Sequence, residues 1–85
     1  MRWFEQSARA GFGDAQFRLA LGYVRGLGVP ENVVEAYAWL ELSEAAGFGL
    51  ATRTKEMLRP SLTRADLRRA NQRAREIYLE INTPQ

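Results

Sequence analysis

The chain has no cysteine and no histidine among its 85 residues. Without cysteine it has neither a disulfide nor a thiolate metal site, and the redox compartment cannot be inferred. Without histidine it lacks the commonest general base and the commonest metal ligand. Lysine is also scarce, since Lys55 stands against eleven arginines. We therefore expect no metal, no cofactor and no enzymatic activity.

Long apolar runs are absent as well. None approaches the ~20 residues that a membrane-spanning helix needs. Met1-Arg2-Trp3 leads directly into amphipathic sequence, which is not typical of a secretory signal. We expect a cytoplasmic protein if the chain is complete, and a periplasmic or secreted one if a leader was removed. The length fits one domain, and a hydrophobic fraction of 46% is ordinary for a folded globule.

Charge is distributed unevenly along the chain. Residues 1–50 carry four arginines and six acids, a net charge of −2. Residues 51–85 carry seven arginines, one lysine and four acids, a net charge of +4. An acidic partner would therefore be drawn to the second part.

The sequence repeats itself with an offset of 36 residues. When Trp3–Ala15 is set over Trp39–Ala51, eight of thirteen positions are identical. The pairs are Trp3/Trp39, Glu5/Glu41, Ser7/Ser43, Ala10/Ala46, Gly11/Gly47, Phe12/Phe48, Gly13/Gly49 and Ala15/Ala51. This period is too long for one helix and fits a helical hairpin, as in helical solenoids.

The repeated tetrapeptide Ala-Gly-Phe-Gly predicts the end of one helix and the start of the next. Its first glycine suits the left-handed position that closes a helix, and its phenylalanine follows where side chains often pack back. Between the two copies, Gly26 is predicted to end a helix that Pro30 prevents from continuing. Asn32 is predicted to cap the following helix, with Glu35 completing a capping box.

Here the sequence resembles a known family. The matching residues are Asp14-Ala15-Gln16-Phe17-Arg18-Leu19, Tyr23, Gly26, Gly28-Val29-Pro30, Ala36, Trp39 and Gly47. They resemble the Sel-one-like repeat, a relative of the tetratricopeptide repeat, from Asp14 to Ala51 without a gap. Two positions differ from the family pattern: Ala20 stands in place of glycine, and Asn32 stands in place of aspartate.

The resemblance implies an all-α fold, an α/α superhelical solenoid of antiparallel helix hairpins. We expect a partial repeat at 1–13, a full repeat at 14–49, and a degenerate repeat with a capping helix at 50–85. Helices are predicted at 2–10, 14–25, 33–46, 50–58 and 64–81. Thr63 and Asp66 are predicted to cap the last helix, and Trp39 and Phe48 to lie in the core. The expected apolar face of the last helix comprises Leu67, Ala70, Ala74, Ile77, Tyr78 and Ile81.

No arrangement of residues predicts catalysis. Ser7, Ser43 and Ser61 have no histidine to activate them, and the first two are repeat-equivalent, which indicates a structural role. Glu41 and Glu44 could form a carboxylate pair, but a solvated helix face explains them better. Lys55 is likewise predicted to lie on a solvated face.

The resemblance implies a protein-interaction adaptor that holds a protein or peptide along the groove lined by the first helix of each unit. Gln16, Arg18 and Arg25 are the candidate contacts; the alternative is that they only solvate the helix. Trp3 and Phe4 form a candidate edge at the N-terminal helix. That edge could be covered by a two-fold dimer, by a partner protein, by upstream repeats, or by folding onto helix 14–25.

A second hypothesis is binding of nucleic acid or another acidic partner by the C-terminal helix. Five arginines occur there: Arg64, Arg68, Arg69, Arg73 and Arg75. They surround much of the helix, Glu76 and Glu80 interrupt them, and no exposed aromatics are interleaved for base stacking. We therefore favour a protein partner over nucleic acid. A third, weaker hypothesis is a cell-wall or peptidoglycan-associated regulator, as some family members are.

Overall fold

The computed structural model describes residues 8–25 and 32–82. Its helices are α1 (Gly13–Arg25), α2 (Val33–Ala45), α3 (Gly49–Leu58) and α4 (Arg64–Asn82), with a 3₁₀ turn at Arg59–Ser61. Ala8 and Arg9 are also helical, and the described residues include no strand. The all-α prediction is confirmed, and the bounds of these four helices agree with the predicted ones to within one residue. The predicted glycine turn at Gly26 and Pro30 lies outside the described residues.

Both copies of the tetrapeptide end a helix through a left-handed glycine. Gly11 has φ +94° and Gly47 has φ +91°. After α2, the N–H of Gly47 donates to the carbonyl of Glu44 at 2.9 Å, and the N–H of Phe48 donates to that of Ser43 at 3.0 Å. This pair of hydrogen bonds is a Schellman motif, which satisfies two carbonyls that the helix leaves unpaired. The predicted helix ends are confirmed.

The caps of α2 and α4 differ from each other. At α2, Oδ1 of Asn32 accepts from the N–H of Glu35 at 3.1 Å, as predicted. The capping box is wrong here, because the Glu35 carboxylate instead accepts from Nε of Arg73 at 2.6 Å. At α4 the box is complete: Thr63 and Asp66 each accept from the other's backbone N–H, at 3.0 and 3.1 Å.

Helix α2 lies at the centre of the fold, and α1, α3 and α4 all pack against it. Trp39, 1% exposed, and Leu40 of α2 are buried together with Leu19 of α1 and Ile77 of α4. The guanidinium of Arg9 lies 5.9 Å from the centre of the Trp39 ring. The prediction that Trp39 belongs to the core is confirmed. Through Trp39 and Leu40, α2 joins α1 and α4 in one hydrophobic core.

The two tetrapeptides meet at the junction between α1 and α2. The Ser43 hydroxyl donates to the Gly13 carbonyl at 2.6 Å. A Cβ added to Gly13 would lie 3.2 Å from the Cβ atoms of Ala46 and Phe48. The half-buried ring of Phe48 lies 5.1 Å from that of Phe17, at an angle of 42°. Ser43 is therefore structural, as predicted, and Gly13 permits close helix packing.

Helix α4 packs against α2 and covers part of its surface. Its buried face consists of Ala70, Ala74 and Ile77. Tyr78, predicted on this face, is 54% exposed, because its position lies at the edge of the stripe. Although α3 and α4 follow each other in the chain, they make little contact, since α4 packs on α2 instead. One side of α3 is consequently left open.

Candidate protein-binding surface

The exposed side of α1 carries charged residues at helical spacing. Asp14, Arg18 and Arg25 are exposed, and Leu21 beside them is half-buried. The spacing of four, three and four residues places them in one row along the helix. The other sides of α1 pack on α2 and on the segment through Ala8. Two of the predicted contact residues, Arg18 and Arg25, are therefore accessible to a partner.

Gln16, the third predicted contact residue, has the wrong location for that role. Its side chain is 3% exposed, and its amide Nε2 donates to the carbonyl of Ala8 at 3.0 Å. It joins α1 to the end of the preceding helix and cannot reach a partner. It lies two residues from both Asp14 and Arg18, so on the helix it points away from their exposed row.

Trp3 and Phe4, the other predicted site residues, lie outside the described residues. Their role in covering the N-terminal edge remains a prediction.

Helix α3 occupies the repeat position of α1, at an offset of 36 residues. Gln16 of α1 donates to the backbone carbonyl of Ala8, and its equivalent Thr52 donates to the side-chain carboxylate of Glu44, the equivalent of Ala8, at 2.5 Å. The exposed residues Leu50 (55%) and Met57 (73%) thus correspond to Asp14 and Leu21. The periodicity of α3 shows an apolar stripe, but only comparison with α1 across the repeat reveals which of its members are exposed.

Between α2 and α3 lies a small cluster of charges. Nζ of Lys55 donates to Glu44 at 2.9 Å and lies 5.5 Å from the centre of the Tyr37 ring. The prediction of a solvated face is wrong for Lys55, which is partly buried against α2 because it occupies the repeat position of the buried Leu19. The pair neutralises a charge that would otherwise be buried without a counterion.

Two glutamates of α2, Glu41 and Glu44, lie near Lys55, and their pKa values are shifted in opposite directions. Burial raises the pKa of Glu41, Lys55 lowers it in part, and neighbouring Glu44 raises it further. Hydrogen bonds from Thr52 and Lys55 lower the pKa of Glu44. For Lys55, burial opposes the charge, but the hydrogen bond and charge of Glu44 raise its pKa overall. The lowered pKa of Glu44 and the raised pKa of Lys55 are typical of an ion pair, which here links α2 and α3.

The arginines of α4 do not act as one uniform patch. Arg64, Arg68, Arg69 and Arg75 are exposed. Arg73 instead pairs with Glu35 at 2.6 Å and with Glu76 at 3.6 Å. Burial disfavours its charge, but the pairing with Glu35 raises its pKa overall. Arg73 therefore links α4 to α2 through an ion pair.

The described residues form neither a metal-binding cluster nor a membrane-spanning helix. In the described parts of the chain, no three acidic, histidine or cysteine side chains converge as they would to hold a metal ion. Within the same residues, no helix combines the length and apolar character that crossing a membrane requires.

Comparison with known proteins identifies the repeat. The family model of the Sel1 repeat matches residues 1–12 and 13–48, so its boundary falls within the first tetrapeptide. A search of curated proteins finds no match. Sel1 repeats form helical-hairpin solenoids that generally act as protein-interaction scaffolds and are typically non-catalytic. Because the family model covers more than half of the sequence, the chain belongs to the Sel1 repeat family.

Proposed function

We propose that this chain is a non-catalytic adaptor that binds a segment of another protein across α1 and α3. The observation that carries the proposal is the exposure of Leu50 and Met57 on the side of α3 that corresponds to the charged row of α1. We name these two residues with Arg18 and Arg25 the α1–α3 surface. It combines apolar contact area with positive charge within one array.

The chemistry of the surface indicates its partner. Full burial of a Leu or Met side chain contributes about 1.5–3 kcal/mol, so Leu50 and Met57 can anchor apolar side chains of a bound segment. Arg18 and Arg25 favour acidic residues in that segment and accelerate its association. We therefore expect a peptide or helix with two apolar anchors beside acidic residues.

The experiment first identifies a binding segment and then maps it. Proteins retained from the source cell by the purified chain are identified by mass spectrometry, and the affinity of each isolated segment is measured by calorimetry. Replacing Leu50 and Met57 by serine should weaken binding tenfold or more. Replacing Arg18 and Arg25 by alanine should weaken it less and reduce its dependence on salt.

Replacement of Arg68 and Arg75 on α4 by alanine is the matched control, since it removes the same charge from another exposed face. All three double variants should melt like the parent, because the altered side chains lie largely in solvent. Equal affinity of the α1–α3 variants and the parent would refute the proposed surface. Loss of binding in the α4 control alone would place the partner on the arginine-rich helix.

A further inference from the structure

The junction between α1 and α2 uses four residues that occur a second time in the chain. At this junction Gly13 contacts Ser43, Ala46 and Phe48. At an offset of 36 residues the same residue types recur as Gly49 and as Ser7, Ala10 and Phe12. Ser7 lies outside the described residues, whereas Gly49, Ala10 and Phe12 are described and exposed.

Within one chain, this second set is not assembled. A Cβ added to Gly49 would meet no atom within 4 Å, in contrast to the close contacts at Gly13. Phe12 is 61% exposed, while its counterpart Phe48 is half-buried against Phe17. Glycine and phenylalanine are thus present at opposite edges of the array, each without the neighbour that its repeat-equivalent has.

We propose that two copies of this chain bind head to tail through these edges. The segment ending at Phe12 in one copy packs on α3 of the next, as the end of α2 packs on α1 within the chain. Gly49 then lies against Ala10 and Phe12 of the second copy. The start of α3 in one copy then has neighbours like those of the start of α1 within the chain.

The repeat favours this arrangement over a two-fold dimer. The internal junction joins the start of a first helix to the end of a second helix. Only a head-to-tail contact brings the matching Gly49 and Phe12 edges together, whereas a two-fold contact pairs each edge with itself. The position of Phe17 is occupied in α3 by the exposed Arg53. Its guanidinium would lie near the Phe12 ring of the second copy, where cation–π attraction replaces the ring contact.

The contact is expected to be weak and reversible. Arg53 and Glu56 of α3 stand where α1 has Phe17 and the buried Ala20, so the new junction is less apolar than the internal one. Such a heterologous contact does not close on itself by symmetry, so copies add one after another as concentration rises. The mean mass should therefore increase with protein concentration.

The test is sedimentation velocity of the whole chain from micromolar to millimolar concentration. Gly49→Leu fills the space proposed for the second copy, and its Cβ meets no atom of its own chain within 4 Å. Phe12→Ser removes the opposite half of the contact. Each variant should stay monomeric where the parent associates. Asn71→Leu is the control, because it adds the same side chain to an exposed site on α4 and should associate like the parent.

A mixture of the two variants distinguishes the two modes of association. Phe12→Ser retains an intact α3 edge and Gly49→Leu retains an intact Phe12 edge. An equimolar mixture should therefore form a one-to-one dimer that does not grow further. A parent that remains monomeric at millimolar concentration overturns the proposal. So does a mixture that stays monomeric although both variants melt like the parent, since that outcome shows that the edges do not meet each other.

Discussion

Replacement of Gly13 and Gly49 by alanine compares two equivalent helix starts that differ in packing. Both glycines begin helices, α1 and α3, and neither has a positive φ. Alanine is favoured over glycine in helices by up to about 1 kcal/mol, and both variants gain part of this. Only at Gly13 does the new Cβ meet two carbon atoms at 3.2 Å, inside the ~3.5–4.0 Å of ordinary contact.

The cost of that close contact decides the sign. Overpacking a well-packed site costs about 1–3 kcal/mol, which exceeds the propensity gain. Gly13→Ala should therefore lower the free energy of unfolding by about 0.5–2 kcal/mol, whereas Gly49→Ala should raise it by up to about 0.5–1 kcal/mol. Urea unfolding followed by circular dichroism measures both, at micromolar concentration to avoid self-association. Equal midpoints for the two variants, or a more stable Gly13→Ala, would refute the junction as described.

Three further predictions concern stability. Gly47→Ala should cost about 1 kcal/mol, because φ is +91° although the space around it is open; a melt equal to that of the parent contradicts this. Ser43→Ala should cost about 1 kcal/mol by removing its hydrogen bond to Gly13, and Ser61→Ala, at an exposed site, serves as the control. Glu41→Gln should stabilise and Glu44→Gln destabilise at neutral pH, because the folded pKa of Glu41 is raised and that of Glu44 is lowered. Both effects should fade in acid, because the environment of the folded protein disfavours the ionised carboxylate of Glu41 and favours that of Glu44, and both are protonated at low pH. Differences in urea midpoint between each variant and the parent that do not change with pH would contradict this.

Much of the fold was predictable because local signals determine it. Gly47 ends a helix through its own conformation, and Thr63 with Asp66 caps one through side chains three residues apart. Such signals need no knowledge of distant neighbours. The capping box at Glu35 was predicted wrongly because its carboxylate has a competing partner, Arg73, 38 residues further along the chain. Competition between near and distant partners is not visible in a local pattern.

The candidate site was less predictable for the same reason. Arg18 and Gln16 stand two residues apart and look equally polar in sequence, yet one is exposed and the other is buried. What separates them is the segment before α1, in which the backbone carbonyl of Ala8 accepts a hydrogen bond from the side chain of Gln16. The exposure of Leu50 and Met57 is likewise not visible in the periodicity of α3 alone and follows only from their correspondence to Asp14 and Leu21 of α1.

The sequence of α3 explains why α4 packs on α2 and not on α3. The repeat positions of Phe17, Leu19 and Ala20 are occupied in α3 by Arg53, Lys55 and Glu56. A following helix that packed here would have to bury the exposed charges of Arg53 and Glu56, which is costly without partners. Helix α2 instead supplies an apolar surface around Trp39 and a carboxylate at Glu35 for Arg73. Charged residues at three positions of α3 therefore end the regular repeat, and for the same reason the contact proposed for a second copy at this edge is weak and reversible.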